Sequence, residues 1–254
     1  MKRHNLDTRM ENYKNCYNIR LTRRTPVVLK FDGCHFHTFT RGFKKPFDEI
    51  MMKAMQLTMM DLCKNIQNAV IGYTQSDEIT IILNDYQTLE AEAWFDNRLN
   101  KMTSVGASMA SRFFNWNFRE TAMVMVNYGA ITEEEYIHYE SRFSEADFDC
   151  CAFNLPPEEV CNFLIFRQKD AERNSIQMLA QSMYKPDEIR GISNKALQDK
   201  MFTEKGVNWN NFATSCKRGT ACKRNIDGDW AIDYDMPILS RNRTYVDDLV
   251  IPKD

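Results

Sequence analysis

The chain has 254 residues, 43% of them apolar and 27% charged, with a formal net charge of −2. That length supports one large domain or two small ones around a real core, in an ordinary globular composition. The near-neutral charge excludes an RNA binder that works by bulk charge, so any grip on nucleic acid has to come from local basic patches. The eight cysteines form no Cys-x-x-Cys pair, and the four histidines stand outside zinc-finger spacing from them. Reduced thiols and a cytoplasmic location are expected. The polar start carries no apolar leader and no apolar run reaches membrane-spanning length, so no membrane partner is expected.

In chain order, Pro26–Asp32 predicts a buried strand: it is β-branched, follows a proline and stops at Gly33. Residues 47–67 predict a helix with Met51, Met55, Leu62 and Ile66 on its apolar stripe. Its methionines (51, 52, 55, 59 and 60) are assigned to the core, with an interface as the alternative. Ala69–Tyr73 and Ile79–Leu83 predict a hairpin joined by Thr74–Glu78. A second helix is expected over 93–113, with Phe95, Leu99, Met102, Gly106, Met109 and Phe113 at helical spacing and Gly106, Ala107 and Ala110 allowing close approach to a sheet. Residues 121–147 carry little pattern. Phe148–Phe153 predicts a fourth strand, and the prolines and acids of 154–159 open a helix running to about Tyr184. The order βαββαβ is that of a ferredoxin-like, polymerase palm-type α+β fold over residues 1–184. A C-terminal α/β extension over 185–254 is expected to serve RNA binding or oligomer contacts.

In that fold the first strand and the hairpin are neighbours, so Asp32 at a strand end and Asp77 in a turn can converge at one sheet edge. Two carboxylates placed this way suit Mg²⁺ and two-metal phosphoryl transfer. Taken separately, Asp-Gly is usually a turn and Ser-Asp-Glu a solvated loop; spacing alone carries the argument no further.

The motifs resemble those of the tRNA-His guanylyltransferase family. Asp32-Gly33-Cys34-His35-Phe36-His37 resembles its Asp-Gly-x-x-Phe-His signature, Lys45-Pro46-Phe47-Asp48 its Lys-Pro-x-Asp element, and Gln75-Ser76-Asp77-Glu78 its hairpin. Arg98, Lys101 and Ala107–Ala110 match its second helix, and Arg167–Ala171 and Lys205–Trp209 match later motifs. The resemblance runs from about Lys30 to about Gly219. It implies that Asp32 and Asp77 are catalytic and ligate two Mg²⁺ with the Gly33 carbonyl. It further implies that Asp32–His37, Lys45, Ser76 and Asp77 wrap a nucleoside triphosphate, with Arg98 and Lys101 neutralising phosphate. The family extends RNA at its 5′ end: the end is activated with ATP or GTP, or carries a triphosphate, and the 3′ hydroxyl of an incoming nucleotide attacks it. Catalysis then rests on positioning and charge, which agrees with the lack of a convincing Ser/His/Asp or Cys/His nucleophile set. The resemblance also implies a homotetramer binding tRNA, ATP, GTP and other nucleoside triphosphates.

One departure stands out. Members dedicated to tRNA-His carry His-Ile-Asn-Asn where this chain has Glu172-Arg173-Asn174-Ser175. That points to the guanylyltransferase-like branch, which restores missing 5′ nucleotides by copying the opposite strand, over strict addition of one G to tRNA-His. Candidate RNA contacts are Arg167, Asn174, Lys205, Lys217 and Arg218. Basic clusters stand at Arg20/Arg23/Arg24, Arg41/Lys44/Lys45 and Lys217/Arg218/Lys223/Arg224. A nucleotide cyclase would carry Gly-Gly-Asp/Glu-Glu-Phe in the hairpin, and an RRM-like binding module would show the RNP aromatic pattern; neither occurs here.

Overall fold

The structure, a computed structural model, describes residues 5–251. The elements run α1 (Leu6–Asn15), β1 (Val27–Gly33), α2 (Phe36–Phe39), α3 (Glu49–Asn65), β2 (Ala69–Gln75) and β3 (Glu78–Leu83). Then come α4 (Leu99–Asn127), α5 (Glu133–Glu140), β4 (Phe148–Asn154), α6 (Pro157–Gln181), α7 (Pro186–Ile189), α8 (Asn194–Lys205), α9 (Thr214–Arg218), β5 (Thr220–Arg224), β6 (Trp230–Asp233) and α10 (Thr244–Val250). The strands form one antiparallel sheet in the order β4-β1-β3-β2-β5-β6.

Helices cover both sheet faces, which is why β1 reads as a continuous apolar run. Leu29, Phe31, Ile79 and Ile81 turn to one side, against Met55, Met59 and Leu62 of α3 and Met102, Phe114 and Phe118 of α4. Val28 and Ile82 turn to the other, against Val160 and Leu164 of α6 and Val246 and Val250 of α10. A smaller core joins the end of α6 to α8 through Leu179, Leu197, Met201 and Trp209.

The βαββαβ order is borne out. The second helix differs from expectation. Phe95 fits the helical spacing, but Phe95, Asp96 and Asn97 all have positive φ in a 3-10 turn, and α4 starts only at Leu99. It then runs to Asn127, through sequence that carried little pattern. Gly106 does allow close approach: a Cβ there would stand 3.1 Å from the Phe31 ring. The extension beyond residue 184 contributes β5 and β6 to the palm sheet itself, so the sheet crosses that boundary.

Asp48 caps α3 and ties it to two other segments. One carboxylate oxygen accepts from the Met51 amide (2.9 Å), the other from the Lys44 amide (3.0 Å) and the Tyr139 hydroxyl (2.7 Å). Asp48→Ala is expected to cost about 3 kcal/mol in urea unfolding, the sum of a lost cap and a stranded buried hydroxyl. Tyr139→Phe should cost about 1 kcal/mol; equal stabilities for the two variants would deny the cap its part.

Candidate active site

The end of β1 is stitched to the hairpin turn by a hydrogen bond from the Gly33 amide to the Asp77 carbonyl (3.1 Å). Gly33 is required here by close approach, because a Cβ would fall 2.3 Å from the Phe36 ring. With that ring tucked under the strand end and packed on Phe39, Phe114 and Phe148, His35 and His37 are left exposed on the short α2 turn. His35 itself is held at φ 56, a left-handed conformation.

In the turn between β2 and β3, Ser76 also takes a left-handed φ of 50. Non-glycine residues adopt this only when the surroundings over-determine it. The Ser76 hydroxyl donates to Asp77 Oδ1 at 2.9 Å. Burial pushes the Asp77 carboxyl above its ordinary value; the Ser76 hydrogen bond opposes this and the nearby Asp32 charge adds to it. A desolvated carboxylate beside a second one is a place where a cation is stabilising. Among the described residues no three His, Cys, Asp or Glu side chains form a self-sufficient metal cage. Carboxylate and carbonyl oxygens such as those of Asp32, Asp77 and Gly33 are the donor type that suits Mg²⁺, which keeps waters and takes its remaining ligands from substrate phosphates.

Asp32 is also the end of an ion-pair chain. In register it faces Glu78 on β3 and Asp149 on β4. The Lys30 ammonium donates to Asp32 Oδ2 at 2.7 Å and stands 3.4 Å from Glu78 Oε1. Burial works to lower the Lys30 pKa, but the hydrogen bond to Asp32 and the charges of Glu78 and Asp32 outweigh it, so the ammonium is held more firmly. Glu78 pairs in turn with Arg167 (2.5 Å), which also reaches Asp170 (3.0 Å).

A cavity of about 510 Å³ opens beside the turn, with Phe36, His37, Lys45, Ser76, Asp77 and Asn174 on its walls. Asp32 and Gly33 are not on its walls; the bond from the Gly33 amide to the Asp77 carbonyl holds them beside it. Cys34 follows, its amide on the Asp147 carbonyl (2.8 Å). Burial and the charges of Asp149 and Asp147 push its thiol up, away from a nucleophilic thiolate.

Arg98 and Lys101 are not brought to this cavity. Arg98 stands at the N-cap of α4 and bridges to Arg20, at the end of the sheet where Val27 pairs with Asn154. With Lys14, Asn15 and Tyr17 the two basic residues line a separate cavity of about 430 Å³. Neither is on the walls of the cavity beside Asp77.

The expected RNA contacts divide as well. Arg167 is buried in its pairs with Glu78 and Asp170. Lys217 is buried and donates to the Asn210 carbonyl (2.6 Å), and Arg218 pairs with Glu172 (2.6 Å); both stand over the Trp209 ring. These three lock the fold instead of facing solvent. Glu172, where dedicated members carry His, is thus used internally. Lys205 remains exposed beside Tyr184, and Asn174 faces the cavity. Of the basic clusters, Arg20 and Arg23 pair with Asp96, Lys223 lies over Tyr245 and Arg224 over Trp230. Arg41, Lys44 and Lys45 are exposed with no ion pair among the described residues, and the two lysines line the cavity.

Residues 7–156 match the family model described as tRNAHis guanylyltransferase. The chain belongs to the tRNA-His guanylyltransferase family. Members are nucleotidyltransferases, and so is this chain. Among solved structures it is similar to a bacterial tRNA(His) guanylyltransferase (Thg1)-like protein in complex with ATP. The identity is 39% and the TM-score 0.85, covering 97% of this chain and 100% of that one. The corresponding complex with GTP is 35% identical with TM-score 0.77, at the same coverage. The tRNA(His) guanylyltransferase of Saccharomyces cerevisiae is 26% identical over 212 residues, 78% of this chain and 82% of that one.

Against the family motifs, two parts of the site had no local signal. Glu78 and Arg167 stand within matched motifs, but the ion-pair chain that joins them to Lys30 spans three distant segments. The wall formed by Ser215, Cys216 and Gly219 comes from the C-terminal extension. A Cβ at Gly219 (φ 82) would stand 2.5 Å from the Thr74 carbonyl oxygen, so glycine lets the wall close up on the hairpin where β5 pairs with β2.

Proposed function

We propose that this enzyme adds nucleotides to the 5′ end of tRNA by copying the opposite strand, after activating that end with ATP or GTP. The observation that carries the reading is the tie from the Gly33 amide to the Asp77 carbonyl, which sets Asp32 near a carboxylate on the wall of a nucleotide-sized cavity. The complexes of similar bacterial proteins with ATP and GTP support nucleoside triphosphates as the occupants. Bound Mg²⁺, two ions by the family resemblance, would supply charge stabilisation to the phosphates and the attacking oxygen. Asp32 and Asp77 would hold the ions with the Gly33 carbonyl. Ser76 orients the Asp77 carboxylate, and Lys45 balances triphosphate charge. The 3′ hydroxyl of the bound nucleotide attacks the activated 5′ phosphorus; the new P–O bond forms as the bond to AMP (ATP-activated end), GMP (GTP-activated end) or pyrophosphate (triphosphate end) breaks. Glu172 in place of His favours templated repair over a strict reading of tRNA-His. A homotetramer in the cytoplasm belongs to the same proposal.

Isothermal titration of ATP and GTP with and without Mg²⁺ tests the site. Binding that needs Mg²⁺ and weakens by about tenfold or more in Lys45→Ala is expected. Metal-independent binding, or no selectivity for triphosphates over nucleosides, would favour a plain RNA-binding module.

A further inference from the structure

The nucleotide cavity is not closed on its far side. Lys44–Phe47, Met52, Ser215 and Cys216 are shared with a second cavity of about 840 Å³, which continues between α3, the second half of α4 and the segment before β5. At the junction Phe47 and Phe212 meet edge to face, with ring centres 5.6 Å apart. Leu57, Val124 and Met125 carry the apolar surface onward. Cations sit at its edges: Lys44 and Lys45 at the junction, and Lys53 held by the Tyr234 hydroxyl at 2.8 Å. Glu49 and Glu120 also border it, so it is not a phosphate pocket.

Flat aromatic and apolar walls accept the face of a heterocyclic base, while lysines beside them take backbone phosphates. Copying also sets a geometric demand. The incoming base and the base that selects it must meet edge to edge, so a pocket sealed at the size of one nucleotide could not copy. From this continuity we infer that the second lobe receives the templating nucleotide of the RNA, the one that pairs with the incoming nucleotide. The inference rests on the proposed templated activity and names where its template sits.

Val124 and Ala213 line only the second lobe and are both exposed, Val124 by 51%, so Val124→Trp and Ala213→Trp can fill it without entering the core. Thermal unfolding by circular dichroism confirms that each variant folds. Mg²⁺-dependent ATP and GTP binding should stay within about twofold of wild type, because the first cavity is untouched. Addition to a 5′-truncated tRNA should fall by about tenfold or more in kcat/KM, the range of one lost base contact, with reduced preference for the pairing nucleotide. In parallel, the same tRNA carrying 4-thiouridine at the templating position should photocross-link to peptides containing Met52, Phe212 or Cys216. Full templated addition by both variants, or cross-links confined elsewhere while the wild type copies, would overturn the inference alone. A wild type that adds no nucleotide to any RNA would overturn the proposed activity and the inference with it.

Discussion

Asp77→Asn and Asp32→Ala are each expected to lower nucleotide transfer by ~10³-fold or more while leaving the protein folded. The two changes act differently on stability. Asp77 has its carboxyl pKa raised in the folded protein, chiefly by burial. Its charged form therefore opposes folding at neutral pH, and folding takes up a proton as pH falls through the raised value. An isosteric neutral Asn removes that penalty, so Asp77→Asn should unfold at or slightly above the wild-type temperature while losing activity. Asp32→Ala strips Lys30 of its closest partner but leaves it Glu78 at 3.4 Å, so little stability is lost at this half-exposed pair. Single-turnover addition and thermal unfolding measured on the same preparations check both statements. Transfer near the wild-type rate in either variant would remove the metal assignment.

Arg167→Ala is expected to destabilise the protein by about 3 kcal/mol. Its side chain is 9% exposed and its guanidinium stands between Glu78 (19%) and Asp170 (15%). Removing it leaves two largely buried carboxylates short of a partner, although Lys30 and Arg173 still offset part of their charge. Arg167→Ala combined with Glu78→Gln should recover some of the loss, since the second change removes the stranded charge. Urea unfolding of the single and double variants reads this directly. An RNA-contacting arginine would behave oppositely: stability would hold, and RNA affinity would lose part of its salt dependence.

The parts of the fold that were legible are those written in local pattern. Val27–Phe31 could be read because both faces of β1 are buried, and the hairpin because two apolar runs flank a short polar turn. The start of α4 was misplaced because periodicity does not register φ: Phe95 keeps the spacing while the backbone is left-handed. The second half of α4 was hidden by its polar residues, whose partners lie elsewhere in the chain. Asn117 donates to Asp61 at 2.8 Å and Asn115 to the Ala146 carbonyl at 2.7 Å. At the candidate site, the nearness of Asp32 and Asp77 was legible through strand adjacency, and Lys45, which lines the cavity, stood out through its motif. Arg167, Lys217 and Arg218 were misread as surface cations for a physical reason. A charged residue on a polar helix gives no sign of burial until its counter-charge is placed, and Glu78, the Asn210 carbonyl and Glu172 reach them only in the fold. The Ser215–Gly219 wall, and the second lobe behind it, depend on β5 joining β2, which no local pattern announces.

The most direct test of the whole account uses a 5′-labelled, 5′-truncated tRNA with ATP, Mg²⁺ and each nucleoside triphosphate in turn, reading the products by length. Addition confined to the nucleotide that pairs with the opposite strand, and switched by changing that opposite base, is the predicted result. Addition of G alone, to tRNA-His alone and regardless of the opposite base, would contradict templated repair. It would show that Glu172-Arg173-Asn174-Ser175 serves the dedicated reaction after all.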